Sequence, residues 1–237
     1  MGMIRAYIFL IISVLLGSCS ARTYATRDVN QPVLATHRTV AILPFEVELD
    51  RLRAQDIVYH GTSNPTPEQL AQRQQQWTES QRQARETLAY DLQRCLHNQV
   101  QATKGRGTYP VTFQSVRDTN QRLRAAGITY ENLFEHSMAE LQQALGVDAV
   151  LSGAATLYQP MPNGVAVAAH LLSNTPLLVG GPLTGNVVTA NLTVHDCRSG
   201  ELVWRFNYER TGSTTLPTAE ALVKQLLRPA AKTFPYR

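Results

Sequence analysis

The sequence is poor in the residues on which several protein classes depend. Of its 237 residues, 14 are glycine, 12 are proline, three are cysteine and 17% are charged. Glycine and proline are too few for a fibrous protein, and a hydrophobic fraction of 43% is too high for a disordered chain. A formal net charge of +4 does not indicate nucleic-acid binding unless the basic residues cluster. The length therefore predicts one globular domain with appendages.

Sequence motifs for catalysis and cofactor binding are also missing. The chain has no G-x-S-x-G elbow and no H-E-x-x-H pair, and its six histidines never stand three or four residues apart. The glycine-rich run 180–185 lacks the Lys-Ser/Thr of a phosphate-binding loop, and its proline removes an N–H group. Basic residues alternate with acidic ones, as around Asp118, rather than clustering with aromatics. The sequence predicts no enzyme, metal, cofactor, nucleotide or nucleic acid.

The most continuous apolar run lies near the start of the chain. Arg5 precedes an apolar run over 6–16, which is too short to span a membrane, where roughly 20 residues are needed. The run is typical of a secretory signal peptide. Cys19 follows a Leu-Gly-Ser triplet, which resembles the lipobox of bacterial lipoproteins, so residues 1–18 would be removed and the Cys19 thiol lipidated. The alternative is an ordinary signal peptide cleaved near Ala21, with Cys19 discarded.

The lipobox resemblance also implies a location and a domain plan. The amino group of Cys19, freed by removal of the leader, would be acylated as well. Two or more acyl chains hold a protein stably to a bilayer. Ser20 stands where an aspartate would retain a lipoprotein on the inner membrane, so the resemblance implies an outer-membrane lipoprotein facing the periplasm. Residues 19–37 lack apolar periodicity and contain Pro32, which predicts a lipidated cysteine with a tether. Residues 38–237 are then a single periplasmic α/β domain.

Periodicity predicts the element order β-α-β-α-α-β-(irregular)-β-β-α, a mixed sheet with helices packed on it. A strand over 39–45 precedes a helix over 67–102, whose first part, 67–83, is rich in glutamine and predicted to be solvated. Its second part carries an apolar residue at every fourth position, predicted to pack on the sheet. These residues are Ala84, Leu88, Leu92, Leu96 and Val100. Thr66 with Gln69, and Ser137 with Glu140, have the spacing of capping boxes.

The middle of the chain predicts a strand over 109–116, helices over 118–126 and 137–146, and a strand over 147–158. The clearest pattern follows, with strict alternation over 188–194 and 202–208 joined by the turn DCRSG. It predicts an antiparallel hairpin with one apolar face and one polar face, the polar face being solvated or partnered. A closing helix over 217–232 completes the order.

Two features allow more than one interpretation. Cys95 and Cys197 form either a disulfide or two separate thiols. His195, Asp196 and Cys197 are consecutive, and side chains at adjacent strand positions point to opposite faces. This favours a turn over a catalytic role for the three residues. The segment 159–186 is apolar but interrupted by prolines. One interpretation is that this segment covers the sheet. The other is that it inserts into a membrane or forms an oligomer contact.

Three segments resemble one group of bacterial envelope proteins: TVAILPF, LQQALGVDAVLSG and VHDCRSGELVWRF. The group comprises curli-secretion (CsgG-like) lipoproteins, penicillin-binding-protein activator lipoproteins and TolB amino-terminal-like domains. The resemblance implies that Gly146 stops a helix, and that Gly153 allows close backbone approach. It further implies that Asp196, Gly200 and Trp204 supply a turn, its left-handed position and a core anchor.

The same resemblance implies a lipid-anchored, non-enzymatic domain that binds an envelope protein or self-assembles as a scaffold or regulatory lipoprotein. The alternative is a subunit of an oligomeric secretion or pore complex that uses residues 159–186. The chain departs from the curli channel because it has no clean membrane-inserting hairpins. The glutamine-rich helix is a second departure.

Overall fold

The computed structural model describes residues 20–26, 31–51, 66–102, 111–160, 186–213 and 215–236. These residues form one mixed sheet of seven strands with helices packed on it, which confirms the predicted α/β class. The strands are β1 (Ser20–Thr26), β2 (Thr39–Ile42), β3 (Glu46–Arg51), β4 (Thr112–Phe113), β5 (Ala149–Gln159), β6 (Asn186–Asp196) and β7 (Leu202–Ser213). The helices are α1 (Gln31–Leu34), α2 (Pro67–Ala102), α3 (Val116–Ala125), α4 (Met138–Leu145) and α5 (Ala219–Ala230), with a 3-10 turn at Leu133–Glu135.

The sheet combines parallel and antiparallel pairing because of how its strands are connected. Its order is β1-β7-β6-β5-β2-β4, and β3 continues along β5 beyond β2. Helical connections between the early strands make β2 parallel to β4 and β5. The short turn after β6 makes β6 and β7 antiparallel, as the alternation predicted. β3 is also parallel to β5. The long helix α2 follows β3 in the chain and packs on the sheet.

Hydrophobic residues divide between the two faces of the sheet. On the inner face, α2 and α5 cover a large cluster that includes Trp204, Phe206 and Leu192, each at most 1% exposed. On the outer face, α3 and α4 cover a smaller cluster around Val150. The predicted apolar face of the β6–β7 hairpin is therefore the inner one.

The helix α2 has two different halves. Residues 67–79 are all exposed, as the glutamine-rich composition predicted, whereas Gln81 is 6% exposed and buried. Farther along, the predicted apolar positions are buried only from Leu92 onward, and the earlier ones, Ala84 and Leu88, are half-buried. The physical reason is that a helix repeats every 3.6 residues, so a stripe at every fourth residue winds off the packed side. Ala89 takes the buried place instead, at 0% exposure.

Both predicted capping boxes are formed. The Ser137 side chain accepts from the Glu140 N–H, and the Glu140 carboxylate accepts from the Ser137 N–H at 2.7 Å. The Thr66 N–H likewise donates to Gln69 Oε1 at 3.1 Å, and Gln69 N donates back to Thr66 Oγ1 at 3.4 Å. These reciprocal bonds satisfy N–H groups that have no partner inside the helix. They explain why α2 and α4 begin where the sequence indicated.

The N-terminal region differs from the expected tether of residues 19–37. Residues 20–26 pair with β7 as an antiparallel edge strand, and Leu34 of α1 lies in the core at 0% exposure. The unpaired edge of β7 supplies hydrogen-bonding groups to any extended segment, so no apolar periodicity was needed for this pairing. The strand expected over 109–116 is also shorter, at Thr112–Phe113, and its first two positions lie outside the described residues.

Some predictions fall on residues that the structure does not describe. They include the signal peptide, Cys19 and positions 161–185 of the apolar segment. Within the described ranges, none of the helices is both long enough and apolar enough for a membrane crossing.

Candidate functional site

Part of the outer sheet face is solvent-accessible. The helices α3 and α4 pack around Val150, near the start of β5, whereas outer-face side chains farther along β5 are exposed or half-buried. We call this region the open face. It is formed by Ala154, Thr156, Thr189, Asn191, Asn207 and Glu209.

Strand register arranges the open face in two straight rows. Thr156, Thr189 and Glu209 are direct neighbours across β5, β6 and β7, and Ala154 begins the parallel row through Asn191 and Asn207. Such cross-strand neighbours lie about 4.5–5.5 Å apart between Cβ atoms. Because the side chains are short, the rows line a shallow groove rather than a filled surface.

Charges differ between the two margins of the open face. Along β3, Glu46, Glu48 and Asp50 are exposed, and Glu48 Oε2 accepts a hydrogen bond from Thr156 Oγ1 at 3.2 Å. On β7, Arg205 is exposed beside half-buried His195. Burial, and then the Arg205 charge, lowers the pKa of His195, so its imidazole is neutral at neutral pH. The groove is therefore acidic along β3 and has charges of both signs on β7, at Glu209 and Arg205.

A second constellation is a buried network of His37, Tyr236 and Asp196, which the exposed Ser199 joins through hydrogen bonds to Asp196. Tyr236 Oη lies 2.5 Å from His37 Nδ1, and His37 Nε2 lies 2.9 Å from Asp196 Oδ1. Burial raises the pKa of Tyr236, so its hydroxyl stays protonated. His37 Nε2 donates to Asp196, because an ionised carboxylate can only accept. Asp196 Oδ2 accepts from Ser199 N at 2.6 Å and from Ser199 Oγ at 2.7 Å.

The pKa values of Asp196 and of the neighbouring Cys197 suit a structural role rather than a catalytic one. Burial acts to raise the pKa of Asp196, but hydrogen bonds from Ser199 and His37 outweigh it and leave the pKa below the ordinary value. Burial, with the nearby charges of Asp196 and Asp148, raises the pKa of Cys197 to about 12, so this thiol is not a ready nucleophile. Within the described residues, both Cys95 and Cys197 are free thiols, and no group of three or more potential ligands could hold a metal.

Sequence reasoning found one part of this network and missed the other. The turn role expected of Asp196 matches its bonds to Ser199. Its partnership with His37 has no sequence signal, because the two residues are 159 positions apart and Tyr236 is 199 positions from His37. They come together only in the folded structure, where β5 pairs with both β2 and β6 and the last residues pack beside them.

The other residues singled out in the sequence lie at turns and in the core. Gly146 and Gly200 adopt left-handed conformations, with φ of 65° and 73°. At Gly153, an added Cβ would lie 2.4–2.7 Å from ring atoms of Phe45, so the close neighbour is an aromatic side chain rather than a backbone. Trp204 is 0% exposed, and its ring meets Phe234 edge-on with centroids 5.2 Å apart.

Comparison with known proteins gives only distant similarities. Neither a protein-family profile nor a curated protein matches the sequence. Among solved structures, a PelC dodecamer from Paraburkholderia phytofirmans is 13% identical over 93% of this chain and 99% of that one, with a TM-score of 0.38. Lipoprotein GNA1162 from Neisseria meningitidis is 14% identical over 82% of this chain and 94% of that one, with a TM-score of 0.36.

The LpoB C-terminal domain from Salmonella enterica is 10% identical over 76% of this chain and 94% of that one, with a TM-score of 0.31. All three proteins are bacterial, and the Neisseria protein is a lipoprotein. At these TM-scores the similarities carry no argument about function. The resemblance to curli-secretion and TolB-like proteins stays a hypothesis.

Proposed function

We propose that this chain is a lipid-anchored, non-enzymatic outer-membrane lipoprotein that binds a periplasmic protein through the open face. The observation that carries the proposal is the contrast between the part of the outer face that α3 and α4 cover and the part that no helix of the described residues covers. Around Val150 two helices bury the sheet, whereas the rows through Thr189 and Asn191 present short polar side chains to solvent. A sheet face of this kind accepts a partner without first moving a helix away.

Charge defines the kind of partner that fits the open face. The exposed carboxylates of Glu46, Glu48 and Asp50 line one margin, so a partner with basic side chains at that margin gains electrostatic complementarity. On β7, Arg205 favours an acidic group of the partner and Glu209 a basic one. This arrangement sets the orientation of the partner more than the strength of its binding.

Several residue types capable of catalysis occur in the domain, but their surroundings support a non-enzymatic role. His37, Asp196 and Tyr236 bind one another inside the buried network, where a substrate has no access. Cys197 is 1% exposed and carries a raised pKa. A nucleophile, a base and an orienting group do not meet at any solvent-accessible point of the described residues.

Lipid anchoring is tested by metabolic labelling with a fatty acid. We expect the label to enter the wild-type protein and to be lost in Cys19→Ala. Equal labelling of both proteins would contradict the proposed anchor, since no other thiol should accept the lipid.

Partner binding is tested by a photo-crosslinking residue placed at Thr189, in the centre of the open face. The matched control carries the same residue at Asn98, which is exposed on the opposite side of the sheet in α2. We expect a discrete protein adduct in the native envelope from position 189 and none from position 98. The same adducts from both positions would contradict the proposal. An adduct of twice the chain mass from position 189 alone would identify self-assembly as the mode of binding.

A further inference from the structure

The first described strand fixes where a lipid on Cys19 would leave the domain. β1 begins at Ser20, the residue after Cys19, and Ser20 pairs with Thr211 of β7. Register across the sheet continues this row through Val187 to Tyr158 and Asp50. We call this the upper end of the sheet. Because Ser20 directly follows Cys19 in the chain, no linker separates this end from the proposed lipid.

The exposed half of α2 points towards the same upper end. Phe45, just before β3, donates from its N–H to Ala89 O at 3.3 Å. One step farther along β3, Val47 N bonds Tyr130 Oη at 3.1 Å, and next to Tyr130 the Glu131 carboxylate meets Arg82 at 2.9 Å. Going from Ala89 back to Arg82, the helix therefore advances in the direction in which β3 runs. The rest of its N-terminal half continues that way.

Simple geometry shows how far this helix reaches. From Ala89 to Leu70, α2 advances about 28 Å along its axis at 1.5 Å per residue. From Phe45 to Arg51, β3 advances about 20 Å at roughly 3.3 Å per residue. The N-terminal half of α2 thus extends to the level of the upper end or beyond it.

Exposed apolar side chains concentrate in this part of the molecule. Four large hydrophobic side chains are exposed among the described residues, and three of them are Leu70 at 48%, Trp77 at 43% and Tyr158 at 39%. Leu70 and Trp77 are seven residues apart and so lie on one side of α2. Trp and Tyr favour the membrane–water interface, where an apolar ring and a polar group are both accommodated.

Charged residues on the helix are arranged to suit the same surface. At 100° per residue, Glu68 and Glu79 lie on the side of α2 opposite Leu70, whereas Arg73 lies within about 60° of it. All three are exposed. A bilayer with anionic headgroups in contact with this end of α2 would meet the arginine close to the leucine and the tryptophan.

We propose that the upper end of the sheet and the N-terminal end of α2, which carries Leu70 and Trp77, dock on the surface of the lipid bilayer. The proposal rests on the proposed lipidation of Cys19. An anchor joined to β1 without a linker holds the domain against the headgroups. In this orientation the open face lies beside the membrane and is accessible to a periplasmic partner.

The test uses the full lipidated protein reconstituted into phosphatidylethanolamine–phosphatidylglycerol vesicles that contain brominated phospholipid. Bromine quenches nearby indole fluorescence, and the chain has two tryptophans, of which Trp204 is 0% exposed and serves as an internal control. We expect quenching in the wild type and at least a fivefold smaller quenched fraction in Trp77→Phe. A third protein carries twelve Gly/Ser residues between Ser20 and Ala21. That insertion has a root-mean-square span of about 19 Å, so it should also reduce quenching.

Fatty-acid labelling of the same samples separates the two proposals. Labelled protein with quenching that depends on Trp77 supports docking. Labelled protein without quenching overturns docking and leaves the lipid anchor intact, as would a protein adduct from a photo-crosslinker at Leu70. Failure of labelling overturns the anchor, and docking with it.

Discussion

The two faces of the sheet use the same strands under different constraints. On the inner face, α2 and α5 bury aromatic rings, among them Trp204 and Phe206, which stack with an interplanar angle of 9°. On the outer face, two short helices bury only the region around Val150 and leave the open face accessible. Close packing fixes the volume of each inner residue, whereas an outer residue is constrained mainly by its charge and polarity. The comparison assigns the larger buried core to the inner face and the proposed recognition to the outer one.

The largest effect is expected at neighbouring positions of β7 that point to opposite faces. Trp204→Ala removes a fully buried ring and should lower the free energy of unfolding by about 3–5 kcal/mol. Its control, Arg205→Ala, changes an exposed outer-face residue and should remain within about 0.5 kcal/mol of wild type. Urea denaturation followed by circular dichroism measures both. Similar losses for the two variants would break the distinction between the faces.

Overpacking of the inner face gives the next largest effect. Gly153→Ala would place a Cβ against the Phe45 ring and should cost about 1–3 kcal/mol. If the ring is the cause, the same substitution should cost less in a Phe45→Leu background. A double-mutant cycle measured by urea denaturation checks this coupling. An equal cost in both backgrounds would assign the strain to the backbone instead.

The buried network should give a smaller effect that separates its members. Tyr236→Phe removes one hydrogen bond and should cost about 0.5–1.5 kcal/mol. His37→Ala also leaves Asp196 without its imidazole partner, so we expect about 1–3 kcal/mol. Thermal unfolding of the two variants provides the ranking. A larger loss for Tyr236→Phe would show that the Tyr236 hydroxyl, rather than the bond between His37 and Asp196, carries most of the stability of the network.

The smallest expected effect is a change in how stability depends on pH. Burial acts to raise the pKa of Asp148, but hydrogen bonds from Thr39 and Arg38 outweigh it and hold the pKa below the ordinary 3.8. A carboxyl with a lowered folded-state pKa stabilises the fold above the unfolded value and loses that contribution as pH falls through the folded value. Stability should therefore decline below about pH 4. Asp148→Asn should decline less steeply in urea titrations between pH 7 and pH 3, and an unchanged slope would contradict the assignment.

Local patterns were the part of this molecule that sequence could predict. The alternation in β6 and β7 and the reciprocal bonds of Ser137 with Glu140 depend on residues close together in the chain. The edge strand β1 was missed because backbone bonds, rather than side-chain periodicity, hold it to β7. The open face was anticipated only as a polar hairpin face. Which part of that face is covered depends on where α3 and α4 pack, and no local pattern encodes this.

The distance along the chain between the members of the buried network bears on when folding can finish. His37 and Tyr236 are separated by 199 positions. At synthesis rates of about 5–20 residues per second, roughly 10–40 s pass between the appearance of one residue and the other. Throughout that interval the imidazole lacks its tyrosine partner, and the start of β2 cannot reach its final packing. A chain exported from its amino-terminal end would thus keep its last native contact open until nearly all of it has crossed the membrane.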